Sequence, residues 1–375
     1  MLNILFYTSF NTGSRDTESL MQAFVKQGHK VFVLTQTEKG SYHENCERLG
    51  VLSFGYAIKK QNPLIYFGKH AFYFKRFCKQ HNINIVYAHL ENAGLVAVLC
   101  QPFISAMVFT CRHTVNEAEL MGSRKFILLN KIVYSLSRNT IVVSERSKQY
   151  MVEKEGVSEK KIRVIRLAYN FELYPKPDPG EVATIREKYS TKLLMLTACR
   201  MMEGKRPQVS IEVCKKLHDE GLDVKLLLLG DGPLLEELKE QVRNLKLESR
   251  VFLLGYRSNI MDFLSAADIL VHPSLQDSSS VIIKEAGLNA KAVIACKEIG
   301  DVQEYLVHDN NALLVSSYDS AAEFCTQLKS VYGHTDKLKT LGQALKNAVL
   351  ERFDISSQLP EYNRIHLELE SYGKN

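Results

Sequence analysis

Four side chains carry the chemistry that this sequence offers most clearly. Arg200 and Lys205 flank a turn at Gly204 with four residues between them, directly after the apolar run Lys192-Leu-Leu-Met-Leu-Thr-Ala-Cys-Arg200. A guanidinium grips an anion through paired N–H groups and an ammonium acts as a point charge, so together they suit a diphosphate. Asp277 and Glu285 have seven residues between them. Asp277 stands in the polar loop Ser274-Leu-Gln-Asp-Ser-Ser-Ser280, and Glu285 lies about a turn into Val281-Ile-Ile-Lys-Glu-Ala-Gly-Leu288, which reads as a helix. One acid then reaches the far end of a ligand while the other meets its near end. Ser279 and Ser280 stand where that helix begins. The first-turn N–H groups have no internal partners and carry the positive dipole end, so a phosphate is well received there.

Placing these groups together requires a parallel sheet. Asp268-Ile-Leu-Val-His-Pro273 reads as a buried strand and Ala292-Val-Ile-Ala-Cys296 as the next one. Strand, polar loop, helix and strand make one right-handed βαβ unit, with the loop at the carboxyl end of the sheet. Val224-Lys-Leu-Leu-Leu-Leu-Gly230, ahead of Asp231-Gly-Pro233, and Arg250-Val-Phe-Leu-Leu-Gly255, ahead of Tyr256 and Arg257, repeat the strand-and-turn theme. The front half does the same. Asn3-Ile-Leu-Phe-Tyr-Thr8 is a strand, its following loop contains Gly13, and a helix runs from Thr17 to Gln27. Ile83-Asn-Ile-Val-Tyr-Ala-His89 ends beside Glu91, and Ala106-Met-Val-Phe-Thr-Cys-Arg-His113 ends in Arg112 and His113. Such alternation predicts an α/β protein.

The Asp277–Glu285 spacing resembles the E-x7-E pair of the retaining nucleotide-sugar glycosyltransferases of family 4, also called glycosyl transferases group 1. Asp277 takes the place of the first Glu, and Ser278 and Ser280 stand where Gly and Pro are usual. Arg200-x4-Lys205 resembles that family's diphosphate clamp, and Gly230-Asp-Gly-Pro233 and Glu304 before Asp309-Asn310 follow its order of signals. The resemblance implies a GT-B fold: two Rossmann-like domains facing across a cleft, with a final helix crossing back to the first. It implies that Gly13 lies beside the donor phosphate, although the family holds two adjacent glycines and this chain has Gly13-Ser14. His113 would hydrogen-bond the transferred sugar from the opposite domain. Tyr256 and Arg257 would lie at the nucleobase, and Glu285 would accept from ribose hydroxyls. Asp277 would contact the sugar, while Arg200, Lys205 and the helix N–H groups after Ser279 and Ser280 would stabilise the departing diphosphate. No carboxylate is placed as an obvious nucleophile, in keeping with retention by front-face attack in which the leaving phosphate takes the acceptor proton. The DxD metal motif is missing from the relevant loops, so no cofactor and no essential metal are expected. The function expected is sugar transfer from a nucleotide-sugar, a UDP-sugar, to a glycan or lipid-linked acceptor, as in polysaccharide or lipopolysaccharide biosynthesis. Two alternatives stay open: a nucleotide-sugar-binding protein of the same fold with weak or no activity, because Asp277 is one methylene short, and a nucleotide-sugar epimerase.

At 375 residues the chain is long enough for two cores. The expected divisions are 1–173 as the acceptor-side domain, 174–186 as a linker rich in proline, 187–355 as the donor domain and 356–375 as the returning helix. No apolar run approaches the roughly 20 residues that span a bilayer. The opening Met1-Leu-Asn-Ile-Leu-Phe-Tyr7 reads as a strand rather than a signal peptide. Eight cysteines without paired or zinc-like spacing suit reduced thiols and a cytoplasmic setting. Residues 1–173 hold 23 Lys and Arg against 13 Asp and Glu, and the remainder holds 25 against 29. A basic front half suits an anionic acceptor or an anionic membrane surface. Pro63 to Gln80 interleaves Lys69, Lys75, Arg76 and Lys79 with aromatic residues, and Arg124 to Lys131 repeats the pattern. These stretches fit either a helix lying on lipid or a core-facing stripe with a solvated basic face. No nucleic-acid docking motif accompanies the basic excess, so nucleic acid is not expected as a partner.

Overall fold

A computed structural model of the protein describes residues 1–59, 62–115, 124–316 and 321–372. The side chains of Glu91, Arg124 and Lys125, which the sequence singles out, lie outside the described ones. The chain forms two compact units, Met1–Leu173 with Phe353–Asn375, and Tyr174–Arg352.

In the first unit the described strands are β1 (Asn3–Thr8), β2 (Lys30–Thr35), β3 (Leu52–Gly55), β4 (Ile85–His89), β5 (Met107–Arg112), β6 (Asn139–Val142) and β7 (Ile162–Val164). All pair in parallel, in the order β3-β2-β1-β4-β5-β6-β7. The helices are α1 (Arg15–Lys26), α2 (Ser41–Arg48), α3 (Pro63–Gln80), α4 (Glu91–Cys100), α5 (Arg124–Leu136) and α6 (Glu145–Glu153). Strand side chains alternate between faces, and this sheet is covered on both, so β1 is apolar at nearly every position. Ile4 and Phe6 join a core with Phe24 and Tyr42 from α1 and α2. Leu5 and Tyr7 join the other core, with Phe74, Phe77, Val96 and Ala97 from α3 and α4.

In the second unit the described strands are β8 (Leu193–Ala198), β9 (Val224–Leu229), β10 (Val251–Gly255), β11 (Ile269–His272), β12 (Ala292–Cys296) and β13 (Leu313–Val315), ordered β10-β9-β8-β11-β12-β13 and all parallel. The helices are α7 (Pro179–Lys188), α8 (Pro207–Asp219), α9 (Leu235–Asn244), α10 (Ile260–Ala266), α11 (Val281–Leu288), α12 (Val302–Tyr305), α13 (Ala321–Lys329) and α14 (Thr335–Phe353). Part of the stretch read as a linker is thus helical. Asp178 caps α7 by accepting from Gly180 N at 2.8 Å and Glu181 N at 3.0 Å, and Pro179 takes the first helical position, where no N–H is needed. Arg186 of this helix then donates to Asp268 at 2.9 Å.

The last helix, α15 (Ile355–Tyr372), belongs to the first unit, as expected of a returning helix. Tyr169 N donates to Phe353 O at 2.8 Å and Ile355 N to Tyr169 O at 2.9 Å, fixing the point of re-entry. Phe24 of α1 then meets Tyr362 and His366, and Arg163 pairs with Glu368 at 2.5 Å. In each sheet the strand order reverses once, between β1 and β4 and between β8 and β11, and ligands of open α/β sheets bind outside the carboxyl ends at such a reversal.

Candidate active site

β8 and β11 lie side by side, so the loops leaving their carboxyl ends meet. Thr197 Oγ1 lies 2.9 Å from Val271 O and 2.8 Å from Ser210 Oγ, which ties both strands to α8 just below those loops. Beyond β8 the chain makes a tight turn: Met202 N donates to Arg200 O at 2.9 Å, and Glu203–Lys205 form one 3-10 turn. Gly204 O then accepts from Leu275 N at 2.9 Å, joining this turn to the loop after β11. The approach is too close for a side chain, since a Cβ on Gly204 would lie 1.8 Å from Gln276 Oε1 and 2.7 Å from Gln276 Cβ.

That junction delivers Lys205 to the acidic loop. Its Nζ donates to Gln276 O at 2.8 Å and to Asp277 Oδ1 at 2.6 Å. Asp277 Oδ2 lies 3.0 Å from His272 Nε2, and Ser280 Oγ lies 3.3 Å from the same nitrogen. Burial opposes the charge on Asp277. The hydrogen bond from His272 and the ammonium of Lys205 outweigh it and hold the carboxyl well below the usual carboxylate range. Arg200 is exposed on the same turn.

A second network underlies the loop. Lys284 is fully buried on α11, with Nζ 2.7 Å from Asp301 Oδ2 and 2.9 Å from Ser279 Oγ. Its ammonium also lies 5.0 Å from the centroid of the Tyr305 ring. Burial lowers the Lys284 pKa, and Asp301 opposes that shift. Gly300, in a left-handed conformation at φ +46°, sits so close beneath the loop that a Cβ would lie 2.5 Å from Ser278 O. The hydroxyls of Ser279 and Ser280 are therefore turned inward, and Ser280 makes no side-chain cap to α11. What this loop can offer a phosphate is the backbone of the α11 N-terminus. Glu285 is buried about one turn into that helix.

The Gly230-Asp-Gly-Pro233 turn supports the cationic turn from the other side. Met201 N donates to Asp231 O at 2.9 Å, and a Cβ on Gly230 would lie 1.9 Å from Cys199 O. Gly230 N donates to Gly255 O at 2.9 Å, which places Tyr256 and Arg257 at the same edge of the sheet, both exposed.

In the first unit, His113 follows β5 and His89 ends β4. Their rings stack with centroids 5.1 Å apart, and His89 Nδ1 lies 2.9 Å from His113 Nε2. Burial, and then its histidine neighbour, pushes the His89 pKa well below the usual range. Arg112, placed with His113 by the sequence, is structural instead. It is buried, donates to Glu155 Oε2 at 2.6 Å and Thr114 O at 2.9 Å, and lies over the Tyr134 ring. Gly13 lies in the loop after β1, where a Cβ would meet Glu18 Oε1 and the Tyr42 ring at 2.5 Å.

The second unit thus brings Arg200, Lys205, Asp277, Ser279, Ser280 and Glu285 to one pair of adjoining loops. Gly13 and His113 stand at the carboxyl edge of the first sheet. His272, Lys284, Asp301 and His89 were missed as participants. The available signals were a histidine closing an apolar strand and a lysine inside an apolar helix.

Comparison with known proteins bears on the family and the fold. The family model described as Glycosyl transferases group 1 matches residues 181–348, and that described as Glycosyltransferase Family 4 matches residues 14–172. The chain is 24% identical over 303 residues to the N-acetyl-alpha-D-glucosaminyl L-malate synthase of Bacillus anthracis, covering 79% of this chain and 78% of that one. It is 22% identical over 361 residues to the N-acetylgalactosamine-N,N'-diacetylbacillosaminyl-diphospho-undecaprenol 4-alpha-N-acetylgalactosaminyltransferase of Campylobacter jejuni, covering 94% of each. The crystal structure of Anabaena Alr3699/HepE in complex with UDP-glucose superposes with a TM-score of 0.83 at 18% identity, over 98% of this chain and 100% of that one. With one family model on each unit and the same two-domain GT-B fold in its structural neighbours, the chain belongs to the group 1 glycosyltransferases and is an enzyme of the hexosyltransferase type.

Proposed function

We propose that this enzyme moves a sugar from a UDP-sugar to a glycan or lipid-linked glycan acceptor, with retention at the anomeric carbon and without an essential metal. The observation that carries the reading is the position of Lys205, held between Gln276 O and the Asp277 carboxylate beside the uncapped start of α11. An ammonium and a helix N-terminus together meet the charge that grows on a departing diphosphate. Arg200 adds a bidentate donor, and Glu285 serves the ribose. As the bond from the anomeric carbon to phosphate oxygen breaks, the acceptor oxygen forms its bond on the same face, and its proton passes to the leaving phosphate. Asp277 holds the sugar for this step. The Anabaena neighbour's UDP-glucose complex supports the choice of base, and the diphospho-undecaprenol in the Campylobacter relative's name supports a lipid-linked acceptor. Such an acceptor is presented at a membrane, so the enzyme works as a peripheral protein at the inner face, in surface polysaccharide or lipopolysaccharide assembly.

One observation favours a second reading. Both Asp277 oxygens are already engaged, by Lys205 and His272, which is also how a donor-binding protein without turnover would hold its loop. Thermal shifts with UDP-, GDP- and ADP-sugars test the donor, since a bound ligand stabilises the folded state by mass action. A shift with UDP-sugars alone is expected. Mass spectrometry of products after incubation with undecaprenyl diphosphate glycans then separates the readings. Stabilisation without product selects the binding protein, and no shift with any donor removes the proposal.

A further inference from the structure

α11 buries a charge where an apolar residue would serve its packing as well. Val281-Ile-Ile-Lys-Glu-Ala-Gly-Leu288 is apolar apart from Lys284 and Glu285, and Lys284 is fully buried. Desolvating an ion pair commonly cancels the attraction gained, so a hydrophobic side chain of similar size would hold α11 in place at least as firmly. The network is also incompletely satisfied, because Asp301 Oδ1 has no hydrogen-bond partner among the described residues. Stability is therefore a poor account of why a lysine stands here. What the pair supplies is direction.

Its bonds lead to the donor loop. Lys284 Nζ reaches Ser279 Oγ at the entrance to α11 and Asp301 Oδ2 in the turn after β12, and Ser279 Oγ itself donates to Asp301 Oδ2 at 2.5 Å. These three groups close a ring that ties the loop, the helix and the following turn together. The same turn presses on the loop from below, since a Cβ on Gly300 would lie 2.5 Å from Ser278 O and 2.7 Å from Asp277 O. With Ser279 Oγ drawn inward, the first-turn N–H groups of α11 are left as the loop's donors to a phosphate. Successive residues of a helix are about 100° apart around its axis. Pinning Lys284 inward thus also fixes the roll of α11, and with it the direction of Glu285, which the donor reading assigns to the ribose. Asp277 and Glu304 act on the Lys284 ammonium as well. A diphosphate would approach a loop flanked by carboxylates, and Lys284 is a buried cation that offsets them.

We propose that Lys284 is a positioning residue for the donor, whose bonds to Ser279 and Asp301 hold the α11 N-terminus in the geometry that receives the diphosphate. This rests on the reading of a UDP-sugar donor and adds to it the residue that keeps the phosphate seat rigid. Lys284 lies beneath the loop and acts through Ser279 and the helix.

Calorimetric titration of UDP and of uridine separates position from stability. Lys284→Met with Asp301→Asn leaves the pair neutral overall, as it was, and should regain most of the stability that Lys284→Met loses alone. UDP affinity should nevertheless stay at least about tenfold below that of the parent, the equivalent of one charge-assisted hydrogen bond. Uridine, which has no phosphate, should bind as it does to the parent. Ser279→Ala keeps the Lys284–Asp301 pair and cuts its link to the loop, so it should lower UDP affinity severalfold, again with uridine unchanged. UDP affinity that returns together with stability in the double variant overturns the proposal, since the network would then only build the fold. A fall shared equally by UDP and uridine overturns it for the same reason. So does undiminished UDP affinity in Ser279→Ala, which keeps the test decisive should the double variant not fold. A parent that binds no UDP removes the donor reading and this inference together, whereas variants that match a UDP-binding parent remove this inference alone.

Discussion

Lys205 and Asp277 hold each other at 2.6 Å, so a donor diphosphate must win the ammonium from a carboxylate that His272 also grips. This makes the two single substitutions differ in kind. Lys205→Ala should abolish UDP-dependent stabilisation and reduce transfer by about 10²- to 10³-fold, the usual loss when one charge-stabilising donor is removed. Asp277→Asn should release Lys205, so UDP should bind several-fold tighter by calorimetry while transfer still falls, because the sugar loses its carboxylate. Equal losses of UDP binding in both variants would show that Asp277 only builds the loop. The sign of the pH dependence follows from the lowered Asp277 pKa. Its stabilising contribution is complete above the unfolded value of about 4 and is lost only as pH falls through the lower folded value. The stability gap between the parent and Asp277→Asn, measured by urea unfolding, should therefore be constant near neutrality and shrink below about pH 4. The Arg200-x4-Lys205 spacing and the acids at 277 and 285 were readable from residue types alone. The Lys205–Asp277 pairing was not, because it depends on loops 72 residues apart in sequence that meet only through the adjacency of β8 and β11.

The loops are held by elements whose sequence gives little warning of the task. Gly204→Ala pushes a methyl group into Gln276 and should separate the cationic turn from the acidic loop. We expect a loss of about 1–3 kcal/mol in stability, with a larger proportional loss of UDP affinity. Preserved affinity would show that the turn accommodates a side chain by moving Gln276. Beneath α11, Lys284 and Asp301 form a wholly buried pair at 2.7 Å. Breaking it from one side should cost about 3–5 kcal/mol, because an unpaired charge stays buried. Lys284→Met should thus lower the unfolding midpoint sharply, and Lys284→Met with Asp301→Asn should recover much of the loss. Additive losses in that double-mutant cycle would rule out the pair as a coupled unit. Strands were legible here because a sheet covered on both faces demands continuous apolar runs, as in β8 and β12. The start of α7 was not. Tyr174-Pro-Lys-Pro-Asp-Pro-Gly180 reads as a linker until Asp178 is seen capping and Pro179 is seen taking the first helical position.

Both units repeat one plan, a parallel sheet whose order reverses between its first and fourth strands, and chemistry-bearing residues follow β1, β5, β8 and β11 in turn. The chain is closed by α15, which leaves the second unit to complete the core of the first. That return was expected from the family resemblance, but its pH sensitivity appears only in the packed structure. His366 lies against Phe24 at 4.9 Å between centroids, its Nε2 is 3.1 Å from Tyr87 Oη, and its Nδ1 has no hydrogen-bond partner among the described residues. Burial, with His29 adding to it, lowers its pKa to about 4. In the unfolded chain the same imidazole titrates near 6.5, so between those values the unfolded state binds a proton that the folded state refuses. Stability contributed by the α15 contact is therefore full above about pH 6.5 and falls as pH drops toward 4, by on the order of 3 kcal/mol. Backbone hydrogen exchange in α15, corrected for the intrinsic pH effect, should accelerate relative to β1 and β4 as pH is lowered from about 7 to 4.5. His366→Phe keeps a ring against Phe24 without a titrating group, and it should remove most of that pH dependence at the cost of the bond to Tyr87. An undiminished acid response in this variant would move the sensitivity away from His366 to another group in the first unit.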